Sequence, residues 1–277
     1  MARRRPPAIS AEVKEQIRQY LSNFVNTLLQ EVATSDMGDS DADSNVDDST
    51  LKPFHQAIIP VAIRKASRFE RSFSTRLGST FEECARRIAA QHHAVARRNY
   101  KIQAEVSQAA LEEINTQVAT FESMATQRKR LPFKEMVSAV LSKSTAPTNV
   151  VTLSVISDLY VRKHDGKELF FEIKSPQPNK GQCLEVTQRL LRIHLLRGKP
   201  RPDVQAYFAM PYNPFGPSRK DYQWSYAIHY TPFDDAVLIG DEFWELLGGP
   251  STYEELLAIY EEVGRAHAQT ILSLFGV

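Results

Sequence analysis

The sequence predicts a mixed α/β fold in which a central β-sheet is flanked by helices and preceded by a helical extension. Three observations carry that expectation. Runs rich in β-branched and aromatic residues near 150–161, 168–174, 204–210, 224–230 and 236–240 have strand character. Segments 79–125 and 182–197 instead repeat their apolar residues at helical spacing, so they should cover the faces of that sheet. Ahead of both, Val13, Ile17, Leu21, Phe24, Val25 and Leu28 form a helical stripe that starts beside the capping residue Ser10.

In chain order, residues 1–33 read as a basic tail and helix, and residues 34–52 as an acidic flexible linker. Asp36, Asp39, Asp41, Asp43, Asp47 and Asp48 alternate there with Ser and Gly, leaving little to bury. Part of this run approaches the spacing of a calcium-binding loop. Ser44, however, stands where the turn glycine belongs and Thr50 where the bidentate acid belongs, which argues against specific calcium binding. Residues 53–277 form the principal domain, opening with a helical run over about 53–73. From Ser79 to Leu131 there is no Gly or Pro, and Ile102, Val106, Ala110, Ile114, Val118, Phe121 and Ala125 recur at steps of three and four. One long helix, or two broken near Asn99, is expected; its stripe can face its own core or a second subunit.

Composition removes several classes. No apolar run approaches a membrane span, and the basic N-terminus Met1-Ala2-Arg3-Arg4-Arg5 is followed by prolines rather than a hydrophobic stretch, so a cytoplasmic protein is the default. Two cysteines, Cys84 and Cys183, make no disulfide or metal framework. The seven histidines show no ligand spacing, since the adjacent His92 and His93 cannot face one point on a helix. A net charge of +1 is a sum over uneven segments: residues 84–101 carry five basic residues and no acid, whereas 234–262 carry nine acids and no Lys or Arg. Such faces are usually only solvated, so position matters more than the total.

The chemistry is concentrated between residues 150 and 174. The run Val150 to Val161 and the run Glu168 to Lys174 flank the turn dipeptide Asp165-Gly166 and read as an antiparallel hairpin. Leu169, Phe171 and Ile173 alternate to one face, which leaves Glu172 and Lys174 on the other. Register then decides whether Asp158 joins them. A two-residue turn pairs position 158 with 173 and sends Asp158 to the opposite face. A three-residue turn His164-Asp165-Gly166, with Gly166 left-handed, pairs 158 with 172 and brings both carboxylates together. The three-residue turn, or a bulge of equal effect, is the expectation.

Two carboxylates with a backbone carbonyl, here that of Ile173, suit a hard divalent ion such as Mg²⁺ that also takes a phosphate oxygen. Lys174 beside it can hold an attacking water and offset phosphate charge. This combination suits phosphodiester hydrolysis. A plain cross-strand salt bridge uses the same residue types. The segment beyond the strand favours a polyanionic substrate: from Lys174 to Arg201 the chain carries Lys174, Lys180, Arg189, Arg192, Arg197, Lys199 and Arg201 against the single acid Glu185. The prolines of Ser175 to Gly181 end the strand in a loop, and a helix comes next.

The Asp158…Glu172-x-Lys174 spacing is similar to that of the PD-(D/E)xK nuclease superfamily, with Ser157 in place of its named proline. The stretch Phe171-Glu172-Ile173-Lys174-Ser175-Pro176-Gln177-Pro178-Asn179-Lys180-Gly181-Gln182 resembles the signature of TdeIII-like type II restriction endonucleases. Residues 206–216 and 240–249 extend that resemblance, which runs from about Pro53 to the C-terminus. It implies a restriction-endonuclease-like nuclease core in residues 53–277. The activity it implies is that of a Mg²⁺-dependent type II enzyme cutting double-stranded DNA at a short palindromic site, of the GGNCC kind, with Asp158, Glu172 and Lys174 catalytic. Asp158, Glu172 and Ile173 would hold the metal. Cutting both strands of a symmetric site is most simply done by a homodimer. Two competing readings keep the same residues: a structure-specific or repair nuclease of the superfamily, and a non-catalytic DNA-binding protein whose triad is structural.

Further candidates surround this centre. The superfamily often places an additional acid on its first core helix, and Glu82, four residues after Gly78, resembles that position, although acids also simply stabilise a helix N-terminus. Gln188, in the helix after Lys174, either approaches the phosphate or faces water. Lys180, Arg189 and Arg192 are DNA-contact candidates from the basic block. The loop 211–220 offers Asn213, Arg219 and Lys220 for groove contacts, or is an ordinary proline-rich turn.

Overall fold

In the computed structural model, residues 7–35, 57–144 and 149–275 are described. The chain divides into two compact units, one comprising Met1–Ser10 with Phe81–Tyr253 and the other Ala11–Thr80 with Glu254–Val277. The acidic stretch read as a linker lies almost wholly outside the described residues.

The second unit is helical. It holds α1 (Ala11–Ser35), the first part of α2 (Val61–His92) and all but the first two residues of α9 (Thr252–Leu274). The stripe expected on α1 is its buried face, with Ile17, Leu21, Val25 and Leu28 shielded from solvent. Charged residues flanking it pair across helices, Lys14 with Glu255 and Arg18 with Glu262, each at 2.9 Å.

The first unit carries a five-stranded sheet in the order β1-β2-β3-β4-β5, formed by β1 (Val95–Ser107), β2 (Val150–Arg162), β3 (Glu168–Ile173), β4 (Val204–Met210) and β5 (Val237–Ile239). The first three strands pair antiparallel, and β3, β4 and β5 pair parallel, so the sheet is mixed. One face packs on α3 (Gln108–Thr126), α4 (Phe133–Ser142) and α5 (Lys180–Arg197) through a core that includes Ile114, Phe133, Phe170, Leu190 and Phe208. The other face packs Phe171 in a stack on Tyr207 and in a tilted contact with Phe243 of α8 (Asp241–Gly248), each with ring centroids 5.6 Å apart. The chain between β4 and β5 adds a 3-10 turn at Arg219–Asp221 and the short helices α6 (Ser225–Tyr230) and α7 (Phe233–Ala236).

Two expectations from the sequence are corrected. The segment 79–125 is neither one helix nor two broken at Asn99: α2 ends at His92, β1 intervenes, and α3 begins at Gln108. Ile102 and Val106 satisfy a helical step of four, yet with Ala104 they also satisfy the strand period of two, and pairing along the whole of β2 selects the strand. The segment 224–230 is not a strand but α6. Its aromatic content reads as β-propensity, whereas Ala227 is buried in the core and the Trp224 indole donates to the Pro178 carbonyl at 2.7 Å, contacts that favour a helical turn.

Candidate active site

The turn between β2 and β3 is the three-residue one. Lys163 N–H donates to the Lys167 carbonyl at 2.9 Å, Gly166 N–H to the Lys163 carbonyl at 3.0 Å, and Gly166 has φ +86°. The resulting register pairs Leu159 with Phe171 and Tyr160 with Phe170, so the next pair in sequence is Asp158 and Glu172.

Backbone pairing stops at Leu159 and Phe171, and side chains bridge the opening. Asp158 Oδ2 accepts the Ile173 N–H at 2.7 Å in place of a strand carbonyl. Buried Ser157 donates to the carbonyls of Leu159 at 3.0 Å and Phe171 at 3.1 Å. A proline at 157 would have no such hydroxyl, so the departure from the superfamily pattern has a local use here.

The same place marks a change of face. On β2 the residues packed in the core are Val151, Leu153 and Val155, then Tyr160; on β1 they are Val106, Ala104, Ile102 and Tyr100, then Val95. Alternation therefore shifts by one residue on both strands at the level of Asn99, φ +49°, and Asp158, which stand opposite one another by register. Asp158 is thereby left partly accessible at the junction.

Glu172 is fully buried, and neither carboxylate oxygen has a hydrogen-bond partner. Burial first, and the nearby Asp158 charge second, push its pKa up to about 8. Arg189 of α5 lies 3.2 Å from Glu172 Oε2, close enough for an ion pair but not aligned to donate a hydrogen bond to it. Lys174, just past the strand, is half-exposed with its Nζ 3.5 Å from Asp158 Oδ2. Among the described residues no group of three His, Cys, Asp or Glu side chains is gathered for a metal, so the protein's own offering here is two carboxylates and whatever carbonyl adjoins them.

This splayed carboxylate centre lies within a longer match. The sequence profile of the family described as type II restriction endonuclease, HinfI, covers residues 8–264. The chain belongs to the HinfI family of type II restriction endonucleases. Three relatives agree: the type II restriction enzymes HgiBI, HgiEI and HgiCII of Herpetosiphon aurantiacus are 45%, 46% and 46% identical over 270 residues. The aligned region is 95% of this chain and 97%, 97% and 98% of theirs. Membership in the HinfI family makes double-stranded DNA the substrate class.

Within this HinfI-family chain the structure brings together Asp158, Glu172, Ile173, Lys174 and Arg189, and it places Glu82, Gln188, Lys180, Arg219 and Asn213 in internal contacts. Glu82 pairs with Arg98 at 2.6 Å. Its neighbour Glu83 is buried; burial disfavours its charge, but Arg86, Arg87 and Arg98 outweigh that and hold its pKa below the ordinary carboxylate value. Gln188 donates to Asn115 at 2.9 Å. Lys180 pairs with Glu122 at 2.6 Å, and Arg219 with Glu242 at 2.7 Å. Asn213 shapes its own loop, accepting from Phe215 N–H and donating to the Ser218 carbonyl. Arg192 has a buried Nε without a hydrogen-bond partner, and Lys220 is exposed. The loop after Lys174 is pinned by Tyr222 and Trp224, which donate to the carbonyls of Pro176 and Pro178, before the capping box of Asn179 and Gln182 starts α5.

Sequence reading missed Asn99, because its segment looked helical, and missed that Arg189 faces Glu172. The alternation of Tyr100, Ile102, Ala104 and Val106 was the available signal for the first. None existed for the second.

Proposed function

We propose that Asp158, Glu172 and Lys174 form the catalytic centre of a Mg²⁺-dependent enzyme that hydrolyses phosphodiester bonds in both strands of DNA. One observation carries this reading: a fully buried carboxylate, Glu172, has both oxygens unsatisfied beside a second carboxylate. Buried carboxylates without hydrogen bonds are costly, and such a pair is stabilised when a divalent cation takes their charge. The donor set fits Mg²⁺, with Asp158 and Glu172 as carboxylate ligands and the Ile173 carbonyl as a third oxygen. When bound, the ion supplies charge neutralisation for the scissile phosphate and acidifies a water.

The chain's own residues divide the remaining work. The Ile173 amide orients Asp158 by holding one of its oxygens. Lys174, beside Asp158 and open to solvent, positions the attacking water and offsets charge as it develops on the phosphate. Arg189 balances Glu172 in the free protein.

The Asp158…Glu172-x-Lys174 pattern and the splayed hairpin support placement in the PD-(D/E)xK superfamily. The TdeIII-like resemblance of residues 171–182 supports a short palindromic site of the GGNCC kind, and a two-fold site supports a homodimer. A cytoplasmic enzyme accords with the absence, among the described residues, of any helix long and apolar enough to cross a membrane. The test is digestion of a plasmid by wild type and Asp158→Ala in Mg²⁺ and in EDTA. Discrete fragments from wild type in Mg²⁺ alone are expected. DNA binding without cutting in either condition would favour the non-catalytic reading, and cleavage unrelated to sequence the repair-type nuclease.

A further inference from the structure

We propose that the exposed face of the β1–β2 ribbon is the surface that reads DNA bases, with Asn99, Lys101 and Gln103 on β1 and Thr152, Ser154 and Ile156 on β2. The proposal rests on the restriction-enzyme reading of the adjoining carboxylates.

Its first support is position. β3 pairs with β2 only over Leu159–Arg162, so β1 is the one strand that pairs with residues 150–158 along the sheet. That two-stranded ribbon extends about 25 Å at the usual rise per residue. It begins at the level of Asp158 and Asn99 and continues through the pairs Lys101–Ile156 and Gln103–Ser154 to Glu105–Thr152. The major groove of B-DNA admits a two-stranded β-ribbon.

Its second support is that these side chains are uncommitted. The polar ones, Asn99, Lys101, Gln103, Thr152 and Ser154, are exposed and form no hydrogen bond or ion pair with another described residue. The basic-block and loop candidates Lys180, Arg189 and Arg219 are all held by acids of their own chain. Ile156 is 50% exposed, the apolar side chain on this face nearer Asp158, and Val150, 51% exposed, stands at the far end of the ribbon. Two amides, two hydroxyls and the apolar Ile156 match what base edges present: donors, acceptors and the thymine methyl. Lys101 adds a charge suited to phosphate, and Glu105, the one acid on the face, sits at the end farther from Asp158.

Its third support is rigidity. The reverse face of the ribbon is core, with Ile102, Val106, Leu153 and Val155 buried in the cluster that includes Ala110 and Ile114 of α3. A face backed this way holds its side chains at fixed spacing, as base readout requires.

The test uses plasmid DNA of known sequence and the full chain. Wild-type fragment ends define the cut site, and a duplex carrying that site then serves for rates and binding. Gln103→Ala and Ser154→Ala are expected to retain the wild-type thermal midpoint. Each should lose about tenfold or more in cleavage rate at that site, or cut sites differing by one base pair. Lys101→Ala should lower the slope of log affinity against log salt by about one. In EDTA, Ser154→Cys should displace the small thiol from a duplex whose site carries a base tethered through a mixed disulfide, leaving protein and DNA joined by a disulfide; Cys84 and Cys183 are buried and should not compete. Wild type that cuts, beside ribbon variants with unchanged fragments, rates and salt slope and no crosslink, would overturn the proposal while leaving the catalytic reading intact. A changed oligomeric state at unchanged DNA affinity would overturn it too, assigning the face to a second copy of the chain. Wild type that fails to cut in Mg²⁺ instead refutes the catalytic reading, and crosslinking of Ser154→Cys to a duplex carrying a GGNCC sequence then decides the ribbon.

Discussion

Asp158 receives the backbone amide of Ile173 at 2.7 Å, a bond that stands where the next rung of the β2–β3 ladder would otherwise lie. A single carboxylate thus both closes the opening between two strands and presents charge beside Glu172. Structure and proposed chemistry meet in that side chain, and substitutions can separate them. Asp158→Asn keeps an oxygen acceptor for the amide, whereas Asp158→Ala leaves a partly buried N–H unsatisfied at a cost of about 1–2 kcal/mol. Both variants should lose cleavage, and only Ala should show a clearly lowered midpoint in thermal or urea unfolding.

Lys174→Ala should lose turnover while retaining most of its DNA affinity, because the ammonium acts on charge that develops in the transition state. Binding measured in EDTA beside single-turnover cleavage in Mg²⁺ separates the two. An equal loss in both would assign Lys174 to ground-state contact.

Glu172 should contribute a loss of stability as pH rises from about 5 to about 8, set against buried His194, whose pKa burial pushes down to about 4 and which contributes the opposite slope up to about 6.5. Glu172 has a folded pKa pushed up to about 8 against an ordinary 4.5, so in that window the folded chain binds a proton that the unfolded chain has released, and stability falls with pH. Below the unfolded pKa the group contributes no slope, and above about 8 the full penalty is present. Glu172→Gln in EDTA should flatten the fall. Parallel curves for the two proteins would remove Glu172 as its source.

Arg189 and Glu172 should prove energetically coupled. Removing the cation leaves a buried carboxylate unbalanced, so Arg189→Ala should destabilise wild type more than it destabilises Glu172→Gln, by about 2 kcal/mol at alkaline pH. A double-mutant cycle in urea without metal measures it, and additivity would mean that the 3.2 Å approach has no energetic content.

Much of this was legible in the sequence because it rests on short-range rules. The turn residue Gly166 set the register, alternation placed Glu172 beside Lys174, and the prolines after Lys174 marked where the strand must end. β1 was hidden because Ile102 and Val106 obey two periodicities at once, and only pairing with a distant strand chooses between them. The same long-range choice concealed Asn99 and the ribbon face. α6 escaped because Trp224, Tyr226 and Tyr230 carry strand propensity in a segment fixed by tertiary contact. The ion pairs of Lys180 with Glu122, Arg189 with Glu172 and Arg219 with Glu242 were equally invisible, since the partners lie on other elements and no local pattern announces them.

Single-turnover cleavage of a duplex carrying the chain's own cut site, by wild type and by Glu172→Gln, bears most closely on the proposed centre when binding to the same duplex is followed in EDTA. Mg²⁺-dependent cutting by wild type, a loss of at least about a thousandfold in the variant, and near-equal binding are expected. Cleavage by Glu172→Gln at the wild-type rate would refute the assignment of Glu172 to catalysis.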